Sequence, residues 1–199
     1  VKRIFDVSAC LVGGLLILPV LTALAFIIAR SSPGPAIFAH TRVGENGRPF
    51  SCYKFRTMVC NGEEVLKTHF ARYPEAKLEW ERDFKLKEDP RVTKIGAWLR
   101  KTSLDELPQI WNVLRGEMSL VGPRPIVEAE VERYEEYIQD YYIVKPGITG
   151  LWQVSGRSDI DYAERVRMDS WYVRNWSVWL DLVILLKTVR YVLGGKGAY

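Results

Sequence analysis

Two adjacent carboxylates, Asp105 and Glu106, are followed after a short interval by an arginine, Arg124, that stands between two prolines. One carboxylate can act as the nucleophile in phosphoryl transfer, and its neighbour can hold a divalent cation. An arginine can bind phosphate oxygens through two N–H groups at once. This set of residues predicts metal-assisted phosphoryl chemistry.

A purely structural explanation of the two carboxylates is also open. Ser103 and Glu106 have the spacing of a capping box, in which Asp105 is only a favourable charge in the first helical turn. Pro108 argues against this, because a proline at the fifth helical position forfeits a backbone hydrogen bond. With Pro108 at the first helical position instead, Asp105 and Glu106 lie on the turn before the helix, free to do chemistry.

Two extended segments precede this turn and carry further basic groups. Residues 36–41 and 49–58 read as short strands, separated by the turn-rich stretch 44–47. Lys54 and Arg56 alternate with aromatic residues, so both could point the same way, toward solvent or toward a phosphate. Arg100 immediately precedes the carboxylate turn.

The N-terminal segment predicts a membrane helix. Residues 7–29 contain no charged side chain, and a helix of this length rises roughly 34 Å, enough to cross a bilayer. Basic residues flank both ends, so the charges favour no orientation across the membrane. Pro19 lies near the middle, which favours a helix-break-helix that enters one leaflet and returns. A spanning helix with a proline kink is the alternative.

Other segments predict surface and interfacial helices. The densely charged residues 62–90 suggest one or two solvated amphipathic helices, and residues 128–142 an acidic, aromatic helix. Residues 92–101 and the tryptophan-rich stretch 171–193 are basic and amphipathic, so each could lie in a membrane interface or pack inside the protein.

A glycine-rich loop, residues 145–157, is a second candidate anion site. Glycine lets backbone amides approach an anion closely, and Lys145 or Arg157 could supply charge. Turn formation is the structural alternative for the same glycines.

Composition excludes several other functions. The chain has 199 residues, 48% of them hydrophobic, and a net charge of +4, which suits one domain and gives little support to nucleic-acid binding. Its three cysteines form no pair at zinc-site spacing, which argues against zinc and a disulfide framework and favours a reducing compartment. Only two histidines, His40 and His69, are available for a hydrolase triad or a metal site. The first residue is valine, so we expect a piece of a longer protein.

Four segments resemble those of the bacterial sugar transferases, the monotopic polyprenyl-phosphate hexose-1-phosphate transferases. They occur in the family's order over nearly the whole chain: Tyr53-Lys54-Phe55-Arg56-Thr57-Met58, Thr102-Ser103-Leu104-Asp105-Glu106-Leu107-Pro108-Gln109, Ser119-Leu120-Val121-Gly122-Pro123-Arg124-Pro125 and Lys145-Pro146-Gly147-Ile148-Thr149-Gly150-Leu151.

The resemblance implies an enzyme that starts a surface polysaccharide, such as O-antigen, capsule or exopolysaccharide. By this resemblance, a UDP-hexose donates hexose-1-phosphate to undecaprenyl phosphate and UMP leaves; the resemblance favours galactose as the hexose, and glucose is the alternative. Asp105 attacks the sugar-linked phosphate, and Glu106 with Asp105 binds Mg²⁺. Lys54, Arg100 and Arg124 match basic positions that contact phosphates, and Asp169 matches a polar position near the site. A membrane-anchored module that binds nucleotide sugars without catalysis is the competing prediction.

The resemblance also implies an architecture. We expect a helix-rich α/β fold at the cytoplasmic face of the bacterial inner membrane, with a re-entrant helix in residues 1–32 and a catalytic domain in residues 33–199. Small family members have serine before the breaking proline, whereas this chain has Leu18, so any break rests on Pro19 alone. Residues 63–87 resemble an insert of larger members, which carry further membrane helices and a soluble domain upstream. A homodimer through such a region is compatible with the resemblance.

Overall fold

The computed structural model describes residues 1–83, 86, 88–156 and 160–194. These residues form the helix-rich α/β mixture that the sequence predicts. In chain order the helices and strands are α1 (Lys2–Ser31), β1 (Ile37–Val43), β2 (Pro49–Phe55), α2 (Gly62–Arg72), α3 (Pro74–Asp83), α4 (Lys94–Thr102), α5 (Gln109–Arg115), β3 (Ser119–Val121), α6 (Ile138–Tyr142), β4 (Gly147–Thr149), α7 (Tyr162–Arg174) and α8 (Val178–Gly194).

Helix α1 is long and apolar enough to cross a membrane by length and composition, with a mean hydropathy of 2.7 over its most apolar window. It runs through Pro19 as one helix, rather than as the two helices separated by a break that the sequence predicts. Thr22 stabilises this region, since its hydroxyl donates to the carbonyls of Leu18 and Pro19. Much of the middle of α1 faces outward, with Leu15 and Leu16 73% and 74% exposed.

The first turns of α1 are bound to the rest of the protein by polar contacts. Lys2 Nζ lies 2.6 Å from Asp181 Oδ2, at the start of α8. The buried carboxylate of Asp6 accepts a 2.7 Å hydrogen bond from Ser119 Oγ, at the start of β3. One turn further, Cys10 is buried in a cluster with Cys52 of β2. The charges that precede the apolar stretch are therefore used within the protein.

The last turns of α1 contact the same folded body. Leu24 and Ile28 pack in a buried cluster with Phe55 of β2 and Leu99 of α4. The guanidinium of Arg56 then covers the helix end, because Nη2 donates to the carbonyls of Ile28 and Ser32 at 3.2 and 2.7 Å. Both ends of α1 thus dock on the strand β2 and its neighbours.

Strands β1 and β2, which the sequence predicts as two short strands separated by a turn, pair as an antiparallel hairpin. Phe38 pairs with Lys54 and Arg42 pairs with Phe50, and alternate residues of a strand share a face. Arg42 and Lys54 therefore lie on one face of the hairpin. Tyr141 holds the end of β1, since its hydroxyl donates to the Val43 carbonyl at 2.7 Å.

A second pair of strands, β3 and β4, is parallel and was not predicted from the sequence. Their backbones approach so closely that a Cβ on Gly147 would stand 2.1 Å from the Gly122 nitrogen. The Gly122 amide donates to the Thr149 carbonyl, and the Gly147 amide donates to the Pro123 carbonyl. These glycines are therefore needed for strand packing, which favours the structural explanation of the glycine-rich loop.

One predicted helix differs from the structure, and another agrees with it. Residues 128–142 form two short 3₁₀ segments and α6 instead of one helix, because Glu135 adopts a positive φ of 47°. The amphipathic helix predicted at residues 92–101, either interfacial or packed in the core, is α4, which buries Leu99 completely and leaves Trp98 46% exposed. Helix α4 thus packs in the core and also presents a tryptophan outward.

Candidate active site

The position of Lys54 is set by a buried amide on α5. Asn112 Oδ1 accepts from the Tyr53 amide at 3.0 Å, and Asn112 Nδ2 donates to the Ser51 carbonyl at 2.7 Å. The side chain thereby pairs with the free edge of β2 as another strand would. Helix α5 and the turn that leads into it are held beside Lys54 as a result.

The carboxylate turn is a single 3₁₀ turn, Leu104–Glu106, between α4 and α5. Ser103 ends α4 with a positive φ of 56° and makes no side-chain cap hydrogen bond, so the capping box does not form. Helix α5 begins at Gln109, directly after Pro108. Asp105 and Glu106 therefore lie before the helix, as the argument from Pro108 predicts.

Helix α4 is pressed against the segment that follows β2. A Cβ on Gly96 would stand 2.0 Å from the Thr57 carbonyl oxygen, so this approach requires glycine. Arg100, one turn later, donates from Nε to Thr57 Oγ1 at 3.0 Å. Its guanidinium is close enough to Asp105 that each charge affects the ionisation of the other.

Glu106 is held ionised in this turn. Burial favours the neutral acid, but Lys54, whose Nζ lies 2.5 Å from Glu106 Oε1, outweighs that effect together with Arg124 and Arg42. The pKa of Glu106 is therefore lowered. A carboxylate that stays charged at neutral pH can bind a cation or repel a neighbouring negative charge.

Asp105 has the opposite character. Burial, together with the negative charge of Glu106, raises the pKa of Asp105 to about 6, and Lys54 and Arg100 oppose the shift. Its conjugate base is less stabilised by the surroundings than that of an ordinary aspartate. Two adjacent carboxylates with pKa values displaced in opposite directions are typical of sites where the two have different chemical roles.

Arg124 reaches the site from the Gly-Pro-Arg-Pro segment. The backbone around it is rigid, because Gly122 packs on the Lys145 carbonyl and the Pro123 carbonyl accepts from Gly147. The Arg124 guanidinium lies 5.9 Å from the ring centre of Trp152, so the glycine-rich loop supplies an aromatic platform for it.

Asp169 supports the same segment from within the core. It is 2% exposed and accepts a 3.1 Å hydrogen bond from the Tyr134 hydroxyl. Burial raises the pKa of Asp169 to about 8, with Tyr134 and the backbone N–H of Arg124 in opposition. Asp169 therefore lies under Arg124 and away from the Glu106 cavity.

A small cavity opens beside Glu106. It is lined by three cations, one carboxylate and several polar or apolar groups: Arg42, Cys52, Lys54, Glu106, Gln109, Arg124, Pro125, Ile148 and Gln153. Asp105 is not in this lining, although the charges of Lys54 and Arg100 act on its carboxylate. The excess of positive charge suits an anion with several oxygens.

Some residues predicted for the site lie elsewhere. Arg56 diverges from Lys54, since β2 ends at Phe55, and its guanidinium is occupied with the end of α1. Lys145 Nζ lies 2.8 Å from Glu45 Oε2 instead of facing Glu106. Arg157 lies outside the described residues, so the structure gives it no position.

The structure also contributes residues that the sequence argument missed. Arg42 and Gln109 line the cavity with Lys54 and Glu106. The alternation of β1 and β2 could have placed Arg42 beside Lys54, but the predicted strand ended at residue 41, one residue too early. For Gln109, the sequence contains no indication of a place in the site other than its position directly after Pro108.

The sequence of this chain is similar to those of known proteins. The family model described as bacterial sugar transferase matches residues 1–195. The chain is 57% identical to a UDP-galactose-lipid carrier transferase of Erwinia amylovora and 55% identical to an undecaprenyl-phosphate galactose phosphotransferase of Salmonella typhimurium. It is 43% identical to a UDP-glucose:undecaprenyl-phosphate glucose-1-phosphate transferase of Escherichia coli.

All three matches cover the whole of this chain, but only 41% of each relative. The chain thus spans about four-tenths of the length of these relatives.

Proposed function

This chain belongs to the bacterial sugar transferase family, and we propose that it transfers a hexose-1-phosphate from a UDP-hexose to undecaprenyl phosphate, releasing UMP. The reaction would be the first membrane step of a surface polysaccharide. The observation that carries the proposal is the pair Asp105 and Glu106, with opposite pKa displacements, beside a cavity lined by three cations.

The first step is the attack of Asp105 on the sugar-linked phosphorus. A bond forms between the Asp105 carboxylate oxygen and phosphorus, and the bond from that phosphorus to the oxygen of the UMP phosphate breaks. An oxygen of the lipid phosphate then attacks the same phosphorus and returns the carboxylate. Asp105 suits this role because it is ionised above about pH 6 while burial and Glu106 leave its charge poorly stabilised.

Basic residues supply the electrostatic part of the mechanism. Lys54 and Arg124, which line the cavity with Glu106, can neutralise charge on the diphosphate and on departing UMP. Arg100 can do the same near Asp105. Because Asn112 holds the backbone beside Lys54 and Thr57 binds the Arg100 guanidinium, little reorganisation of these two cations is needed when charge develops.

The donor set also fits a divalent metal of the Mg²⁺ type. The described residues contain no cluster of three or more metal-ligating side chains, but Mg²⁺ is commonly held by one or two carboxylates together with substrate phosphates and water. Glu106 and Asp105 would provide those carboxylates. When bound, the ion would neutralise phosphate oxygens as charge develops on them.

Galactose is the hexose that we propose. Two relatives with galactose in their names are 55% and 57% identical to this chain, whereas the glucose-1-phosphate transferase of Escherichia coli is 43% identical. We expect detergent-solubilised protein to release UMP from UDP-galactose faster than from UDP-glucose, and only with undecaprenyl phosphate and Mg²⁺ present. Faster release from UDP-glucose would overturn the choice of sugar. No release from either donor, with nucleotide binding retained, would favour the non-catalytic binding module.

We also propose that both ends of α1 lie on the same side of the membrane, the cytoplasmic face of the inner membrane. From Lys2 to Ile28 a straight helix rises about 39 Å, more than the hydrocarbon core. Yet Lys2 pairs with Asp181 of the folded body, and Ile28 packs on Phe55 of that body. A spanning helix would separate these contacts by a bilayer.

Cysteine labelling tests this topology in a Cys60→Ser background, where the exposed native thiol is removed. We expect Val1→Cys and Arg30→Cys to react with a membrane-impermeant maleimide from the same, cytoplasmic side, because both ends of α1 stay with the catalytic body. Leu16→Cys, in the exposed apolar stretch, should be protected by lipid. Labelling of positions 1 and 30 from opposite sides would establish a spanning helix instead.

A further inference from the structure

Arg42 is a charged residue of the cavity lining to which the proposed function assigns no role. It lines the cavity together with Glu106, and its side chain is 17% exposed. A largely buried guanidinium normally has its N–H groups paired. The partners of Arg42 therefore decide whether it serves the fold or a ligand.

The protein positions the Arg42 guanidinium but leaves most of its N–H groups without a hydrogen-bond acceptor among the described residues. Nη1 donates to the Pro125 carbonyl at 3.3 Å and lies 3.8 Å from Glu130 Oε2, too far for a hydrogen bond. Within the described ranges, the Pro125 carbonyl is the only hydrogen-bond acceptor of this guanidinium. A guanidinium has five N–H donors, so most of its donor capacity is left for a ligand in the cavity.

The field around Arg42 also favours an anion. Burial lowers the pKa of the Arg42 guanidinium, and the positive charge of Arg124 lowers it further, while Glu130 opposes the shift. The guanidinium stays charged at any physiological pH. Two like charges that face one cavity repel each other, and an anion placed between them converts that repulsion into attraction.

The two arginines differ in how they are held. Arg42 lies on β1, whose end is fixed by the Tyr141 hydroxyl and by the Val43 amide, which donates to the Ile126 carbonyl at 2.9 Å. Arg124 is exposed and rests on Trp152. One side of the cavity is therefore rigid, and the other carries a side chain that can adjust to a ligand.

We propose that Arg42 is a substrate-binding residue that forms, with Arg124, a two-arginine clamp on the diphosphate of the nucleotide sugar. The clamp rests on the proposed function for the identity of its ligand. Arg42 provides the fixed side, with its free N–H groups directed to phosphate oxygens, and Arg124 closes from the other side. A diphosphate, with oxygens on two phosphorus atoms, can engage both arginines at once, whereas a monophosphate cannot do so equally well.

Calorimetric titration of the solubilised protein with UDP, UMP and inorganic pyrophosphate tests the clamp without turnover. We expect wild type to bind UDP more tightly than UMP. Arg42→Gln should weaken UDP and pyrophosphate binding by about 10- to 100-fold, as expected for a lost charge-assisted hydrogen bond. Its affinity for UMP should change by less than about 3-fold, because one phosphate remains bound by the other cations.

Two further variants separate the clamp from a structural role. Arg48→Gln removes the same charge from an exposed site on the turn of the same hairpin, and it should bind all three ligands like wild type. Arg42→Lys keeps the charge but not the planar fork, so it should give an intermediate loss specific to diphosphates. If Arg42→Gln does not fold in a thermal denaturation assay, the UDP-to-UMP ratio of Arg42→Lys carries the test.

Several outcomes would overturn the clamp. Equal losses for UDP and UMP would make Arg42 a structural residue, and no loss for either would remove it from the site. Failure of wild type to bind both UDP and pyrophosphate would also refute the clamp. By contrast, Arg42-dependent pyrophosphate binding in a protein without transferase activity would preserve the clamp and refute the proposed function.

Discussion

We expect Asp105→Asn to lower the proposed sugar-phosphate transfer by at least about 1,000-fold, measured as UMP release, because an amide cannot form the acyl phosphate that the proposed two-step mechanism requires. The measurement is lipid-dependent UMP release by the purified variant, alongside UDP binding. We expect binding to be retained, since the cations that line the cavity are unchanged.

Loss of activity in this variant should not come from unfolding. Because burial raises the pKa of Asp105 to about 6, the folded protein binds this proton more tightly than the unfolded chain, and stability falls as pH rises from the ordinary aspartate range to about 6. Above that pH the ionised carboxylate costs stability. Asparagine removes the cost, so the melting temperature at pH 7.5 should equal or exceed that of wild type.

A second aspartate, Asp161, provides a control that distinguishes loss of the nucleophile from loss of a negative charge. Asp161 caps α7 by accepting from the Glu164 amide at 2.7 Å, and asparagine is an equally good cap. Asp161→Asn should therefore keep wild-type turnover.

Incubation of wild type with donor alone should place a hexose-phosphate adduct on the Asp105 peptide in mass spectrometry. Turnover above about a tenth of wild type in Asp105→Asn would refute the nucleophile.

Lys54→Met should lower turnover at neutral pH by about 100-fold and shift the acid limb of its pH profile upward. Lys54 holds the pKa of Glu106 down and restrains the rise in the pKa of Asp105. Without this cation both carboxylates hold protons more tightly, so a smaller fraction of Asp105 is ionised at pH 7. The loss should be greater at pH 6.5 than at pH 8.5.

The profile of kcat/KM against pH is the measurement for this variant. Lys54→Arg keeps the positive charge and should leave the acid limb near its wild-type position. Lys101→Met removes a lysine from an exposed site on α4 and should leave the whole profile unchanged. A uniform loss with an unmoved acid limb would mean that Lys54 acts on substrate alone and does not tune the carboxylates.

Local signals in the sequence were enough for the elements that bear the carboxylates. Pro108 correctly separates Asp105 and Glu106 from α5, because a proline inside that short helix would forfeit a backbone hydrogen bond. The turn residues 44–47 mark the hairpin that carries Lys54. Such signals depend on neighbours in the chain, so sequence alone can reveal them.

Features that depend on contacts between distant parts of the chain could not be predicted from local sequence signals. Strand β3 pairs with β4 although the paired residues Ser119 and Gly147 are 28 positions apart in sequence. Strands of three residues are also too short to show an alternation of apolar and polar side chains. Arg56 looks like Lys54 in sequence, yet it binds the end of α1. In both cases the partner lies far along the chain, and the sequence contains no rule that selects it.

The sequence by itself determined the chemistry available to this protein: a carboxylate pair outside a helix, basic residues able to bind phosphate, and one long apolar segment. Only the tertiary structure decided which of those charges meet. Hydrogen bonds and packing between distant segments bring Lys54 to Glu106 and place Arg42 and Arg124 at one cavity, while Lys2 and Arg56 hold α1. A charge acts over a few ångströms, and the fold alone sets those distances.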